Sequence, residues 1–165
     1  MKPLFLVAIA LLVAAPAFAQ EPVGCDKFKW PIARERALLA VPSQMSSGGA
    51  MPQPLAAAVT LALVPSAEAK LPVPPSRAPK SADSYAGFVT AAAIAKSGTY
   101  RVTLSAPAWI DVVQNGRALK STAFSGASGC AGITKSVKFE LSVAPFAVEL
   151  SGTTAHALTF VVTPD

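Results

Sequence analysis

Histidine and cysteine are scarce in this chain: its 165 residues include one histidine, His156, and two cysteines, Cys25 and Cys130. A mononuclear iron oxygenase site takes two histidines and a carboxylate, and catalytic zinc commonly takes two or three histidine or cysteine ligands. The donor count therefore predicts no metal site and no bound cofactor. We expect His156 to lie in a loop or at the start of a strand, as a surface or locally hydrogen-bonded side chain.

Sequence motifs for covalent catalysis, phosphate binding and nucleic-acid binding are also lacking. The run 126–130 (GASGC) resembles the G-x-S-x-G turn of hydrolases, but Cys130 replaces the second glycine and no helix is predicted after it. No glycine-rich phosphate loop is present. The 14 basic side chains, against 9 acidic ones, are scattered singly, which excludes a basic block of the kind that binds nucleic acid.

The first nineteen residues have the pattern of an export signal. Lys2 supplies a positive start, Leu4–Val13 is an apolar run, and residues 17–19 (AFA) form a small-x-small cleavage site before Gln20. The run is too short to span a membrane. We therefore expect segment 1–19 to be removed, which leaves a periplasmic or secreted protein with no stable membrane insertion.

Both cysteines lie beyond that cleavage site, and an even pair in an oxidising compartment is usually a disulfide. We predict a bridge between Cys25 and Cys130. In the loop-closure model a bridge over about a hundred residues removes denatured-chain entropy worth roughly 4 to 5 kcal/mol. The alternative is a reactive thiol, but such a thiol needs a nearby base and His156 is the only histidine.

Beyond the signal, residues 20–165 are long enough for one domain, and they divide into three segments. Segment 20–41 is predicted to contain a short helix, since Pro31 suits a first turn and apolar residues follow at helical spacing. Segment 42–84 holds eight of the fifteen prolines, which excludes a continuous helix or a central strand. Its apolar island, Leu55–Val64, predicts a strand, with a helix as the alternative for the alanine-rich part.

The main β region, residues 85–165, alternates apolar and polar side chains almost throughout, as half-buried strands do. Asn115 and Gly116 give a strong hairpin signal, because both readily take the positive φ of a type I′ turn, and Ala118–Phe124 is predicted as the returning strand. Six or seven strands at about ten-residue spacing, without helical crossovers, predict an all-β fold. We expect an antiparallel β-sandwich, either jelly-roll or immunoglobulin-like, or a small barrel.

Binding residues are the remaining functional candidates, and they centre on one predicted strand. Trp109 and Asp111 share a face of this strand, where a tryptophan beside a carboxylate can stack on a sugar ring and hydrogen-bond its hydroxyls. Arg117 in the following hairpin and Lys135 near the predicted disulfide complete the candidate ligand-binding set. The alternative is structural: Trp109 covers the edge of the core, Asp111 pairs with Arg117 or Lys120, and Lys135 is simply solvated.

Three stretches of the chain are similar to a family of short exported bacterial proteins of unestablished function. They are 98–116 (GTYRVTLSAPAWIDVVQNG), 130–137 (CAGITKSV) and 30–36 (WPIARER). Members of this family often carry the name homogentisate 1,2-dioxygenase, which implies an iron-dependent enzyme. That enzyme resembles a much larger cytoplasmic cupin with a histidine-rich iron site, whereas this chain offers only His156. The resemblance therefore carries over no iron ligand.

Two classes of function follow from these observations. The favoured one is a non-catalytic exported β-sandwich, a binding or accessory module for a small molecule, a glycan or another envelope protein. A distant resemblance to β-sandwich modules appended to secreted peptidases implies the same role. The alternative is an enzyme, either the dioxygenase of the family name or an unrecognised hydrolase. An enzyme needs clustered polar groups in a cleft, whereas a module can work with one aromatic platform or an exposed strand edge.

Overall fold

The chain folds into two β-sheets, seen in a computed structural model that describes residues 22–165; the predicted export signal, 1–19, lies outside the described residues. Helix α1 covers Ala33–Leu39 and follows a 3-10 turn at Cys25–Lys27. No helix in the described part of the chain is long and apolar enough to cross a membrane. The strands are β1 (Ser43–Ser46), β2 (Val59–Ala62), β3 (Val64–Pro65), β4 (Tyr85–Ala91), β5 (Gly98–Leu104), β6 (Trp109–Gln114), β7 (Arg117–Ala118), β8 (Ala123–Gly126), β9 (Lys135–Leu141), β10 (Phe146–Thr153) and β11 (Ala157–Pro164).

The strand order is that of a jelly roll. The larger sheet has the order β1-β2-β11-β5-β9-β8 and the smaller sheet has the order β3-β4-β10-β6-β7. Apart from the parallel pair β1–β2, the strand pairs are antiparallel. Most successive strands alternate between the two sheets, which is how a double-sheet jelly roll is wound. The prediction of an all-β sandwich is confirmed, and of the two sandwich topologies left open the strand order matches the jelly roll.

Alternate side chains of the two sheets meet between them and form the main core. The larger sheet contributes Leu61, Phe139 and Phe160, and the smaller sheet contributes Val89 and Leu150, each of them 2% exposed or less. Burial of one such side chain stabilises the fold by about 1.5–3 kcal/mol relative to an exposed one. This apolar contact fixes the positions of both outer faces, where the polar residues lie.

The outer face of the larger sheet is covered by the N-terminal segment. Ile32 and Leu39 belong to a second apolar cluster with Val161 of β11, and helix α1 packs against β11. The predicted disulfide between Cys25 and Cys130 is confirmed, and both cysteines belong to the same cluster. The bridge thus holds the N-terminal segment on the sheet by a covalent bond.

A buried carboxylate joins helix α1 to the larger sheet. Glu35 is 2% exposed, and it accepts hydrogen bonds from Thr163 Oγ1 at 2.9 Å and from the Arg101 guanidinium at 3.5 Å. Arg101 also donates to Asp165, which is paired with Lys138. These two basic side chains lower the pKa of the Asp165 carboxyl, chiefly through the hydrogen bond from Lys138 and also through that from Arg101. The network links the helix to β5, β9 and the end of β11.

The outer face of the smaller sheet is covered by the segment 66–84, to which we refer as the strap. Its backbone binds to two carboxylates of the sheet: the Val73 N–H donates to Glu149 Oε1 at 2.9 Å, and the Ser76 N–H donates to Asp111 Oδ2 at 3.0 Å. Proline removes four of the nineteen backbone donors of this segment, and the two N–H groups that anchor it, those of Val73 and Ser76, flank Pro74 and Pro75. The strap contains neither helix nor strand.

The predicted hairpin is confirmed at its turn and wrong in its second strand. Asn115 and Gly116 have φ values of 54° and 73°, as a type I′ turn requires. The returning strand does not run over Ala118–Phe124, because the chain pairs with β6 for only two residues and then crosses to the larger sheet. There the Thr122 N–H donates to the Lys138 carbonyl at 2.9 Å, immediately before β8.

The first third of the chain differs from the sequence prediction in two respects. The short helix predicted in the run Asp26–Ala40, with Pro31 in its first turn, begins two residues after Pro31, at Ala33. Strand β1 was not predicted: it is polar and largely exposed, and it pairs in parallel with β2. The predicted strand Leu55–Val64 corresponds to β2 and the start of β3, where the chain changes sheet.

Candidate functional site

An open cavity of about 540 Å³ lies where the strap passes the first residues of β6 and β9. Its volume is within the range of small-molecule sites, roughly 300–1,000 Å³. Proline, alanine, glycine, serine and threonine residues make up most of its wall. Two aromatic and three basic side chains complete it: Trp109, Phe124, Arg77, Lys80 and Lys135. We refer to it as the strap cavity.

The charged side chains that line the strap cavity in the described chain are all basic. Two of them lie against the indole of Trp109: the Arg77 guanidinium is 5.1 Å from the ring centroid and the Lys135 ammonium is 5.4 Å from it, both within cation–π range. Lys135 Nζ also donates to the Ala108 carbonyl at 2.9 Å. Trp109 therefore holds two cations at the cavity wall, where like charges with apolar surroundings concentrate a positive potential.

The orientation of Trp109 is fixed from behind by polar contacts. Its Nε1–H donates to Ser76 Oγ at 2.8 Å, with Asp111 Oδ1 at 3.3 Å. Asp111 in turn accepts hydrogen bonds from both the N–H and the hydroxyl of Ser76. The carboxylate is 4% exposed and does not line the cavity. It therefore positions the indole and the strap and does not face a ligand in the cavity.

Of the four predicted ligand-binding residues, the structure brings two together at the strap cavity, Trp109 and Lys135. Asp111 lies directly behind Trp109. Arg117 is exposed in the hairpin strand β7, outside the residues that line the cavity. The predicted pairing of Asp111 with Arg117 or Lys120 is wrong within the described residues, because Asp111 is hydrogen-bonded to Ser76 and Trp109 and forms no ion pair there.

Sequence reasoning missed three residues of the cavity. Arg77 and Lys80 lie in the proline-rich segment, which has no periodicity, so nothing in the sequence placed them beside Trp109. Phe124 is 63% exposed, with the Lys29 ammonium 5.0 Å from its ring centroid. An exposed aromatic residue becomes a signal only when its neighbours are known, because single exposed apolar residues are common on protein surfaces.

A second polar feature lies beneath the strap, beside the cavity wall. Asp111 and Glu149 are directly opposite each other on β6 and β10, and Glu149 is 1% exposed. Burial raises the pKa of the Glu149 carboxyl above its ordinary value, the hydrogen bond from the Val73 N–H opposes this, and the charge of Asp111 raises the pKa further. Two buried carboxylates thus share the space that the strap covers.

The only histidine of the chain, His156, lies in the loop before β11. His156 is exposed, and its ring centroid lies 4.2 Å from that of Tyr85. Within residues 22–165 no group of three or more histidine, cysteine, aspartate or glutamate side chains is arranged to hold a metal ion. The site with the most distinctive chemistry is therefore the strap cavity.

Comparison of the chain with protein-family models, curated proteins and solved structures finds no match. The class of protein is consequently defined by its own geometry: a disulfide-bonded jelly roll with a basic and aromatic cavity at one end of its strap. The similarity to short exported bacterial proteins stays a prediction.

Proposed function

We propose that this chain is an exported, non-catalytic binding module that holds an anionic glycan fragment in the strap cavity. The observation that carries the proposal is the set of three basic side chains that line a cavity of about 540 Å³ together with Trp109. The Cys25–Cys130 disulfide supports an oxidising compartment. A binding module needs only such a surface and no nucleophile or general base.

Charge is the first element of ligand recognition. Arg77 presents a planar guanidinium that suits a carboxylate in bidentate geometry, and Lys80 and Lys135 add point charges. Because Trp109 fixes Arg77 and Lys135 by cation–π contact, less side-chain freedom is lost when an anion binds. A carboxylate-bearing sugar therefore binds in preference to a neutral sugar of the same shape.

Apolar contact is the second element of recognition. Phe124 lines the cavity and is 63% exposed, and the apolar face of a sugar ring packs on such an aromatic residue. The proline and alanine side chains of the wall add further apolar surface. A ligand that carries both an anionic group and a ring face matches both elements, as an acidic glycan does.

Isothermal titration calorimetry with a uronic-acid oligosaccharide tests this function, with its neutral methyl ester as the comparison ligand. The acid is expected to bind and the ester to bind at least about tenfold more weakly, since a hydrogen bond to a charged group contributes about 1.5–3 kcal/mol. Arg77→Gln is expected to weaken binding of the acid by about ten- to a hundredfold. Affinity is also expected to fall as salt is added.

Arg117→Gln is the matched control, because Arg117 is an exposed arginine outside the cavity. It is expected to bind the acid as the wild type does. Equal affinity for the acid and its ester, or unchanged affinity in Arg77→Gln, would refute the proposed site. Loss of binding in Arg117→Gln but not in Arg77→Gln would move the site to the β6–β7 hairpin.

A further inference from the structure

Two carboxylates lie side by side on the outer face of the smaller sheet, beneath the strap. Asp111 and Glu149 are paired cross-strand neighbours, and they are 4% and 1% exposed. The ion pairs formed within residues 22–165 include neither of them. Two buried like charges without a counter-charge are strongly destabilising. A cation bound beside Glu149 would offset the repulsion between the two carboxylates.

Unpartnered oxygen atoms indicate where that charge belongs. The oxygens of Asp111 accept hydrogen bonds from Ser76 and Trp109, and one oxygen of Glu149 accepts a strap N–H. Glu149 Oε2 and Ser151 Oγ are buried and have no hydrogen-bond partner among residues 22–165, and Ser151 is 3% exposed. The two residues are two positions apart on β10, so their side chains leave the same face of the sheet.

We propose that Glu149, Ser151 and Asp111 hold a calcium ion between the smaller sheet and the strap. Carboxylate and hydroxyl oxygens are hard ligands, which favour Ca²⁺ or Mg²⁺ over softer transition metals. Ca²⁺ matches better because it takes about six to eight oxygens in irregular geometry and accepts backbone carbonyls, whereas Mg²⁺ usually keeps several waters in an octahedral shell. The ion links β6 and β10 beneath the strap. This site does not depend on the proposed function.

Thermal unfolding of the full, disulfide-intact chain, freed of metal with EDTA, tests the calcium site. Addition of about 10 mM CaCl₂ is expected to raise the Tm by roughly 4–10 °C, for a Kd on the order of 10⁻⁴–10⁻³ M as in extracellular calcium modules. The same concentration of MgCl₂ is expected to raise it less. Glu149→Gln is expected to abolish the calcium shift and Ser151→Ala to reduce it. Glu140→Gln, at the exposed position of β9, is the matched control and keeps the full shift.

Terbium luminescence tests where in the molecule the ion binds. Trp109 Nε1 lies 3.3 Å from Asp111 Oδ1, so Tb³⁺ at this site is excited through Trp109. Trp109→Phe is expected to remove most of the sensitised emission while the calcium-dependent Tm shift remains. An unchanged Tm in calcium, or a calcium shift that persists in Glu149→Gln, overturns the proposal. In either case a proton on Glu149, instead of a cation, would offset the repulsion between Asp111 and Glu149.

Discussion

Removal of the Cys25–Cys130 disulfide has an effect that can be worked out from the structure. The bridge joins residues 105 positions apart, so it encloses most of the folded domain. In the loop-closure model a cross-link over about a hundred residues removes denatured-chain entropy equivalent to about 4.7 kcal/mol at 25 °C. A single domain has a total free energy of unfolding of only about 5–15 kcal/mol. The bridge therefore accounts for a large part of the stability of this fold.

Urea unfolding of the double variant Cys25→Ala/Cys130→Ala, beside the oxidised wild type, measures this contribution. With an m value of about 2 kcal/mol per M, the midpoint is expected to fall by roughly 2 M. Alanine is the appropriate replacement because Cys130 is 5% exposed, and serine would bury a hydroxyl group there. Chemically reduced wild type is the control, and its midpoint is expected to coincide with that of the double variant.

A loss of less than about 1 kcal/mol would refute this reasoning. It would mean that segment 22–31 separates from the larger sheet before the sandwich unfolds, so that the bridge constrains little of the denatured chain. Hydrogen exchange tests this explanation directly. The Lys29 amide, which donates to Ser125 Oγ at 2.9 Å, would then exchange much faster than the amides of β11 in the double variant.

Two further predictions concern buried carboxylates. Glu35→Ala leaves the buried Thr163 hydroxyl without its acceptor while Arg101 keeps Asp165, and it is expected to lower the free energy of unfolding by about 1–3 kcal/mol. Glu35→Gln keeps an acceptor and is expected to cost less, and urea unfolding of both variants measures the difference. In calcium-free buffer, Glu149 binds a proton more tightly in the folded state, because burial raises its pKa above 4.5. Its stabilising effect is fully present below pH 4.5 and is lost as the pH rises through the raised pKa. The Tm of the wild type relative to Glu149→Gln is therefore expected to fall as the pH rises from about 4.5 through the raised pKa, and a difference that does not change with pH would contradict this.

The regular strands could be predicted from sequence, whereas their assignment to sheets could not. Alternation in residues 98–104 and 135–141 identifies β5 and β9 because each has one face in the apolar core. The same rule fails for β1, whose residues are mostly exposed. It also fails for 118–124, because a short crossover between sheets has no periodic pattern.

The candidate site was only partly predictable for a related reason. Trp109 was identified by its place on a strand, and Lys135 by its proximity to the disulfide. Arg77 reaches the cavity because backbone N–H groups of the strap bind Glu149 and Asp111. Contacts between an irregular backbone and distant carboxylates leave no signature in composition or spacing, so the position of the strap required the folded structure.

The N-terminal segment affects self-association because it lies beside β8, an edge strand of the larger sheet. Val23 pairs with Ser128 just beyond this strand, and the Lys29 ammonium lies over the exposed ring of Phe124. Both contacts are tethered by the nearby disulfide. Reduction removes this tether, and a molecule in which the segment then detaches has an unprotected strand edge beside an exposed aromatic ring, a template for pairing with another chain. The oxidised molecule is thus guarded against intermolecular strand addition, and the reduced one is prone to aggregate.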